Sequence, residues 1–153
     1  MENFNFDIDI EIKEALESNR PVVALESTLI SHGLPYPKNL EVAKASIDAV
    51  KLSGALPATI AIINGKVKVG LNENDMNILA KSKNIEKVSR HNLAIPISNQ
   101  THAATTVASS IYLAALVGIK FFIELLIVFG VKSPFFIFYR LAKLRFSAEF
   151  WPY

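Results

Sequence analysis

The 153-residue chain has no cysteine, one tryptophan and two methionines, so neither a disulfide framework nor a thiol nucleophile is available to it. With 51% hydrophobic and 20% charged residues, an intrinsically disordered chain is excluded as well. Charge of one sign is also scarce. Sixteen lysines and arginines stand against fourteen acids, a net +2 that provides no bulk field to draw in a nucleic acid polymer. The opening Met1–Asp7 has neither the basic region nor the apolar run of a secretory signal, and nothing there is Arg-rich, so a cytoplasmic setting is expected. Several common signatures are missing: there is no Gly-x-Gly-x-x-Gly, no Walker loop, no Gly-x-Ser-x-Gly elbow and no His-Glu-x-x-His. His91 and His102 are too isolated from other ligands to define a metal site.

What is present divides at residue 120. Of the ten phenylalanines, four tyrosines and one tryptophan, only Phe4, Phe6, Tyr36 and Tyr112 precede Phe121. Residues 1–120 are therefore read as one domain and 121–153 as a hydrophobic, aromatic-rich tail.

In the first region, Ile10 to Ser18 reads as a short helix ended by Arg20-Pro21. Pro21-Val-Val-Ala-Leu25 reads as a strand buried on both faces. Leu40, Ala43, Ile47 and Val50 recur at helical spacing between Pro37 and Leu52, with Gly54 as the stop. Ala58–Ile63, Asn64-Gly65 and Lys66–Val69 form a hairpin pattern around the favoured type I′ dipeptide. Asn72 is placed to cap a helix through Met76, Leu79 and Ala80, and Glu86–Ser89 suggests a short strand. Ser98–Thr106 reads as a small-residue turn entering the apolar helix Val107–Val117. Strands alternating with helices imply an α/β fold: a mixed, largely buried sheet flanked by helices, with ligands near the C-terminal strand ends.

Four places carry candidate chemistry. Glu26 directly follows the buried Val22–Leu25, so burial would raise its pKa and leave it a proton donor near neutral pH; a carboxylate capping nearby amides is the other reading. His32 is a ligand or base, or else a loop histidine bonded to neighbouring backbone. Lys87 stands at a strand end, where it would hold a phosphate or simply remain a surface cation. Thr105 and Thr106 would add hydroxyl donors to free N–H groups at a helix N-terminus, or serve as plain helix caps.

Four separated blocks together resemble the pseudouridine-5′-phosphate glycosidase family across about residues 8–120. They are Ala24-Leu-Glu-Ser-Thr-Leu-Ile-Ser-His-Gly-Leu-Pro-Tyr-Pro37, Pro57-Ala-Thr-Ile-Ala61 with Gly65–Leu71, Lys87-Val-Ser-Arg90, and Ala104-Thr-Thr-Val-Ala108. The resemblance implies an enzyme of modified-nucleotide catabolism that reversibly converts pseudouridine 5′-phosphate and water into uracil and ribose 5-phosphate. Because the broken glycosidic bond joins carbon to carbon, the family opens the ribose and uses a lysine imine as electron sink. It also implies Glu26 as the proton donor, Lys87 and Val107 as substrate contacts beside Thr105 and Thr106, manganese as cofactor, and a homotrimer. Arg90-His-Asn-Leu93 departs from the family's Arg-Arg-Asp-Leu, and Ala103 stands where a glycine is usual.

Beyond Lys120 the family continues with a Thr-Gly-Gly-Ile-Gly-Gly-Val-His-Arg-Gly segment, a metal-binding aspartate and the imine-forming lysine, none of which follows here. Lys132 and Lys143 sit in no matching sequence and are not assigned that role. The expectation is an N-terminal portion of the glycosidase, truncated relative to the family fold and continued out of family as a frameshift would produce, without turnover of its own. Two other classes are compatible with the residues. Ile111–Val131 is 21 residues long, enough to span a bilayer as an anchor, although Lys120 and Glu124 fall within the span at about 2.5–3.5 kcal/mol each. A non-catalytic module that binds a sugar phosphate through Lys87 and the Thr105-Thr106 turn is the other.

Overall fold

The computed structural model describes residues 4–126 and 135–140. The first helix, α1 (Ile10–Glu17), starts where the Asp9 carboxylate accepts the Glu11 amide at 2.9 Å, and it buries Ile12 and Ala15. A strand precedes it, β1 (Phe6–Ile8), too short to show any periodic signal in the sequence. All four residues of β2 (Val22–Leu25) are buried, because it runs inside the sheet, parallel to β3 (Leu56–Ile63) on one side and to β7 (Phe121–Leu126) on the other. Between β2 and β3 the chain makes a π-helical turn over Leu29–Gly33 and then α2 (Lys38–Leu52), which stops at Gly54 with φ of +82°.

The hairpin forms as the dipeptide demands. Asn64 and Gly65 have φ of +49° and +71°, the positive pair of a type I′ turn, and join β3 to β4 (Lys66–Val69). Asn72 and Asp75 make a reciprocal capping box at the start of α3 (Glu73–Lys81). After β5 (Glu86–Val88) come a 3₁₀ turn at Arg90–Asn92 and α4 (Ala94–Asn99). The expected turn over Ser98–Thr106 is in part a strand, β6 (Ala103–Thr105), whose fully buried residues pair with both β3 and β5. Small residues hid it: strand preference here comes from the space between neighbours rather than from side-chain type.

One sheet contains all eight strands, in the order β1-β4-β3-β2-β7-β8 with β6 beside β3 and β5 beside β6, where β8 is Phe135–Arg140. Alternation along β3 divides the core into two layers. Ala58, Ile60 and Ile62 pack with Ile12 and Ala15 of α1 and with Leu113 and Ala114 of α5 (Val107–Leu116). Ala61 and Ile63 pack with Ile30, with Ala43 of α2 and with Met76 and Leu79 of α3. The mixed α/β sheet flanked by helices is thus as the sequence implied.

Two expectations need restating at the end of the described chain. The compositional change at residue 120 is not a break in the sheet, since β7 lies against β2 with Phe122 and Ile123 buried, and β8 pairs with it antiparallel from Phe121↔Arg140 to Leu126↔Phe135. The membrane span over residues 111–131 is corrected: α5 ends after ten residues, Gly118 turns the chain at φ +87°, and a strand follows. Among the described residues no helix is long and apolar enough to cross a membrane. Residues 127–134, with Lys132, and 141–153, with Lys143, lie outside those described.

Asn39 shows what pins the segment after β2. Buried at the start of α2, its amide donates to the carbonyls of Ile30 at 2.6 Å and Ala80 at 3.1 Å, while Ser31 Oγ donates to the Leu79 carbonyl at 3.1 Å. Asn39→Ala strands two carbonyls and is expected to cost about 2–3 kcal/mol of unfolding free energy in a urea titration. A loss below about 0.5 kcal/mol would show that these bonds do not hold the segment.

Candidate active site

Strand direction creates the site. β2 runs parallel to β3 and ends at the Leu25↔Thr59 pair, whereas β6 runs antiparallel along the same edge of β3 and reaches Ala104↔Ala61. Their C-terminal ends therefore meet head to head beside Thr59 and Ile60. Parallel to β6, β5 brings a third C-terminal end to the same place. Residues leaving three strands, Glu26, Ser89 and Thr106, are gathered at mid-sheet by this reversal.

Glu26, partly buried, turns its carboxylate onto its own loop, accepting the amides of Thr28 at 3.0 Å and Leu29 at 3.2 Å. This caps the π-helical turn. Beneath it lies a cavity of about 20 Å³, bordered by Leu29, Ala43, Ser46 and Thr59, with room for about one water and none for a nucleotide.

Ser27 and Thr28 bind the Glu26 loop to β6. Ser27 N–H and Thr28 Oγ1 both donate to the Thr105 carbonyl, at 3.2 and 2.9 Å, and Thr105 N–H returns a bond to Ser27 Oγ at 2.9 Å. Thr105 itself is fully buried, and its hydroxyl donates to the Ile60 carbonyl. Its proton is committed to the sheet. Thr106 is the partly exposed member of the pair, at the N-cap of α5, with Oγ1 3.2 Å from Ser109 Oγ and its amide donating to the Val88 carbonyl at 3.0 Å. Val107 packs its side chain against the core, so what it can offer a ligand is its main-chain N–H, one of those an α-helix leaves unpaired in its first turn.

Lys87 is exposed on β5 in register with Ala104. Register and alternation put it on the sheet face of Ala61 and Ala104, the face that also carries the cavity under Glu26, while Val88 and Thr105 point to the α5 side. Among the described residues Lys87 makes no ion pair. Glu26, which borders that cavity, and Lys87 thus lie on one face, whereas Val107 packs with the α5-side core. His32 lies exposed in the π-helical turn, and His102 Nδ1 accepts the Asn64 amide at 3.2 Å, bracing the hairpin.

Among the described residues no three His, Asp or Glu side chains come together to hold a metal ion, so the manganese implied by resemblance finds no ligand set there. The hydroxyls of Ser27, Ser109 and Ser110 escaped the sequence reading. A usable signal existed: two adjacent serines within an otherwise apolar helix need buried partners.

Residues 11–130 match the family described as indigoidine synthase A like protein. The pseudouridine-5′-phosphate glycosidase of Staphylococcus aureus is 52% identical over 113 residues, 74% of this chain and 37% of that protein. That of Caldanaerobacter subterraneus is 51% identical over 117 residues, 76% and 38% of the respective chains. The crystal structure of the prealnumycin C-glycosynthase AlnA in complex with ribulose 5-phosphate superposes with a TM-score of 0.70 at 38% identity, covering 78% of this chain and 38% of that one. An indigoidine synthase A-like protein from Thermotoga maritima gives a TM-score of 0.66 at 27% identity over 76% and 38% of the two chains. The chain spans 37–38% of the length of these curated relatives. By sequence over residues 11–130, and by a fold it shares with these structures, it belongs to the indigoidine synthase A-like family.

Proposed function

We propose that this chain carries the acid and phosphate side of a pseudouridine-5′-phosphate glycosidase site. The observation that supports it most is the meeting of the β2, β5 and β6 C-terminal ends, since Glu26 follows the first, Thr106 follows the third, and Lys87, without an ion pair among the described residues, lies on the second. Relatives named for this activity, and a structural neighbour described in complex with ribulose 5-phosphate, support the same substrate class.

In this reading the substrate is a free nucleotide rather than a nucleic acid polymer, and the protein is cytoplasmic and assembled as a homotrimer. Lys87 and the N–H groups opening α5, Val107 included, neutralise the phosphate; Thr106 offers its hydroxyl, and Thr105 acts from below by holding the Glu26 loop. Glu26 delivers a proton as the furanose ring opens. That step requires the carboxyl group to leave the Thr28 and Leu29 amides, which rotation of the Glu26 side chain achieves without moving the loop. Water and the carbon–carbon bond are consumed to give uracil and ribose 5-phosphate. No group among the described residues is assigned as imine-forming nucleophile, and no step is routed through a metal.

The proposal includes that the chain binds but does not turn over. Calorimetric titration with ribose 5-phosphate is expected to show binding that Lys87→Ala weakens about tenfold, the worth of one charge-assisted contact. Incubation with pseudouridine 5′-phosphate and manganese is expected to release no uracil. Uracil release that Glu26→Ala abolishes would overturn the inactivity and keep the family activity; absence of any ribose 5-phosphate binding would sink the half-site.

A further inference from the structure

Ser27, Thr105, Ser109 and Ser110 are all fully buried, and each of their hydroxyls is hydrogen-bonded. Their hydrogen bonds converge on Thr105. Thr105 Oγ1 gives its one proton to the Ile60 carbonyl, which can only accept. Toward Ser110 Oγ at 2.8 Å and Ser27 Oγ at 3.2 Å the same oxygen must then accept, so both serines donate to it. Ser27 Oγ meanwhile accepts the Thr105 amide. On the neighbouring turn, Ser109 Oγ donates to the Val88 carbonyl at 2.8 Å, leaving Thr106 Oγ1 as the donor toward Ser109.

We propose that Ser27 is a positioning residue: through the hydroxyl of Thr105, on which Ser27 and Ser110 both converge, it fixes the Glu26 loop against the N-terminus of α5, so that the acid and the phosphate-binding end keep a set separation. The proposal rests on the functional reading above. Two features make positioning a better account than packing. The hydroxyl chain joins residues distant in sequence, Ser27 to Thr105 to Ser110: Ser27 directly follows Glu26, Thr105 directly precedes Thr106, and the Ser110 amide donates to the Thr106 carbonyl at 2.8 Å. Each link is also fully buried, so no water competes for it.

Two measurements on the full chain test this. In Ser27→Ala, hydrogen exchange of the Thr28 and Leu29 amides and of the Thr106 amide is expected to accelerate together by about tenfold, the equivalent of one lost hydrogen bond, whereas Asn72→Ala, which breaks the distant capping box of α3, leaves all three within about twofold. Ribose 5-phosphate affinity is expected to fall about tenfold in Ser27→Ala and to stay within about twofold in Asn72→Ala. Acceleration at Thr28 and Leu29 without Thr106, or unchanged affinity in a folded Ser27→Ala protein, overturns the proposal. If the unaltered chain does not bind ribose 5-phosphate, the functional reading fails instead, and the exchange result alone decides whether the two elements are linked. Should Ser27→Ala not fold, Ser110→Ala removes one donor to Thr105 while keeping Ser27, and the same outcomes apply.

Discussion

Thr105→Val is expected to lower the unfolding free energy by about 3–5 kcal/mol, among the largest effects of any volume-conserving change in this protein. Valine keeps the shape but deletes an oxygen that donates once and accepts twice. The Ile60 carbonyl and the Ser27 and Ser110 hydroxyls would all be left without that partner, in a region with no access to water. Each stranded group costs about 1–3 kcal/mol, partly relieved by rotation of the serines, which sets the range. Thr105→Ser keeps the hydroxyl and loses one buried methyl, so it should recover all but about 1 kcal/mol. Urea unfolding of the three proteins separates the cases: equal losses for valine and serine would assign the site's stability to packing rather than to the hydroxyl.

Gly65→Ala is the second large effect. A Cβ there would stand 2.8 Å from the Ile97 carbonyl oxygen and 2.9 Å from Gln100 Cα, both backbone atoms with no rotamer to adjust. The turn also needs φ of +71° at this residue, which costs an L side chain about 1–2 kcal/mol. Together these should exceed about 3 kcal/mol and lower the melting temperature by about 10 °C. Gly54→Ala is the matched comparison, because its φ is +82° but nothing lies within 4 Å of the added carbon; only the backbone cost of about 1–2 kcal/mol should appear. Similar melting temperatures for the two variants would show that the hairpin does not press on the α4–β6 connection. The difference matters for the site, since Gly65 N–H donates to the Thr101 carbonyl at 3.0 Å and so sets where β6 begins.

Local chemistry made much of the fold legible. The Asn64-Gly65 turn, the Asn72 cap and the uninterrupted apolar Val22–Leu25 each announce themselves within a few residues, because the responsible force acts over that same range. β1 and β6 did not, being three residues long and held by partners far away in sequence. The site was half legible. Glu26 at a strand end and Thr106 at a helix start follow from sequence, but Thr105 and Thr106 read as an equivalent pair, and the structure separates them: strand alternation turns Thr105 into the core and leaves Thr106 at the surface. Of the two readings offered for Glu26, the cap is the one seen directly, its carboxylate accepting the Thr28 and Leu29 amides.

By itself the sequence determined the alternation of strands and helices, the hairpin, the caps and the family blocks, all matters of neighbouring residues and short motifs. Only the tertiary structure decided that β6 runs against β2 along one edge of β3, that residue 121 opens a strand beside β2, and that buried serines tie the Glu26 loop to α5. The reason is physical. A strand's direction and neighbours depend on which buried edge and which unpaired polar groups remain to be satisfied, and those become defined only when segments nearly eighty residues apart are brought into contact.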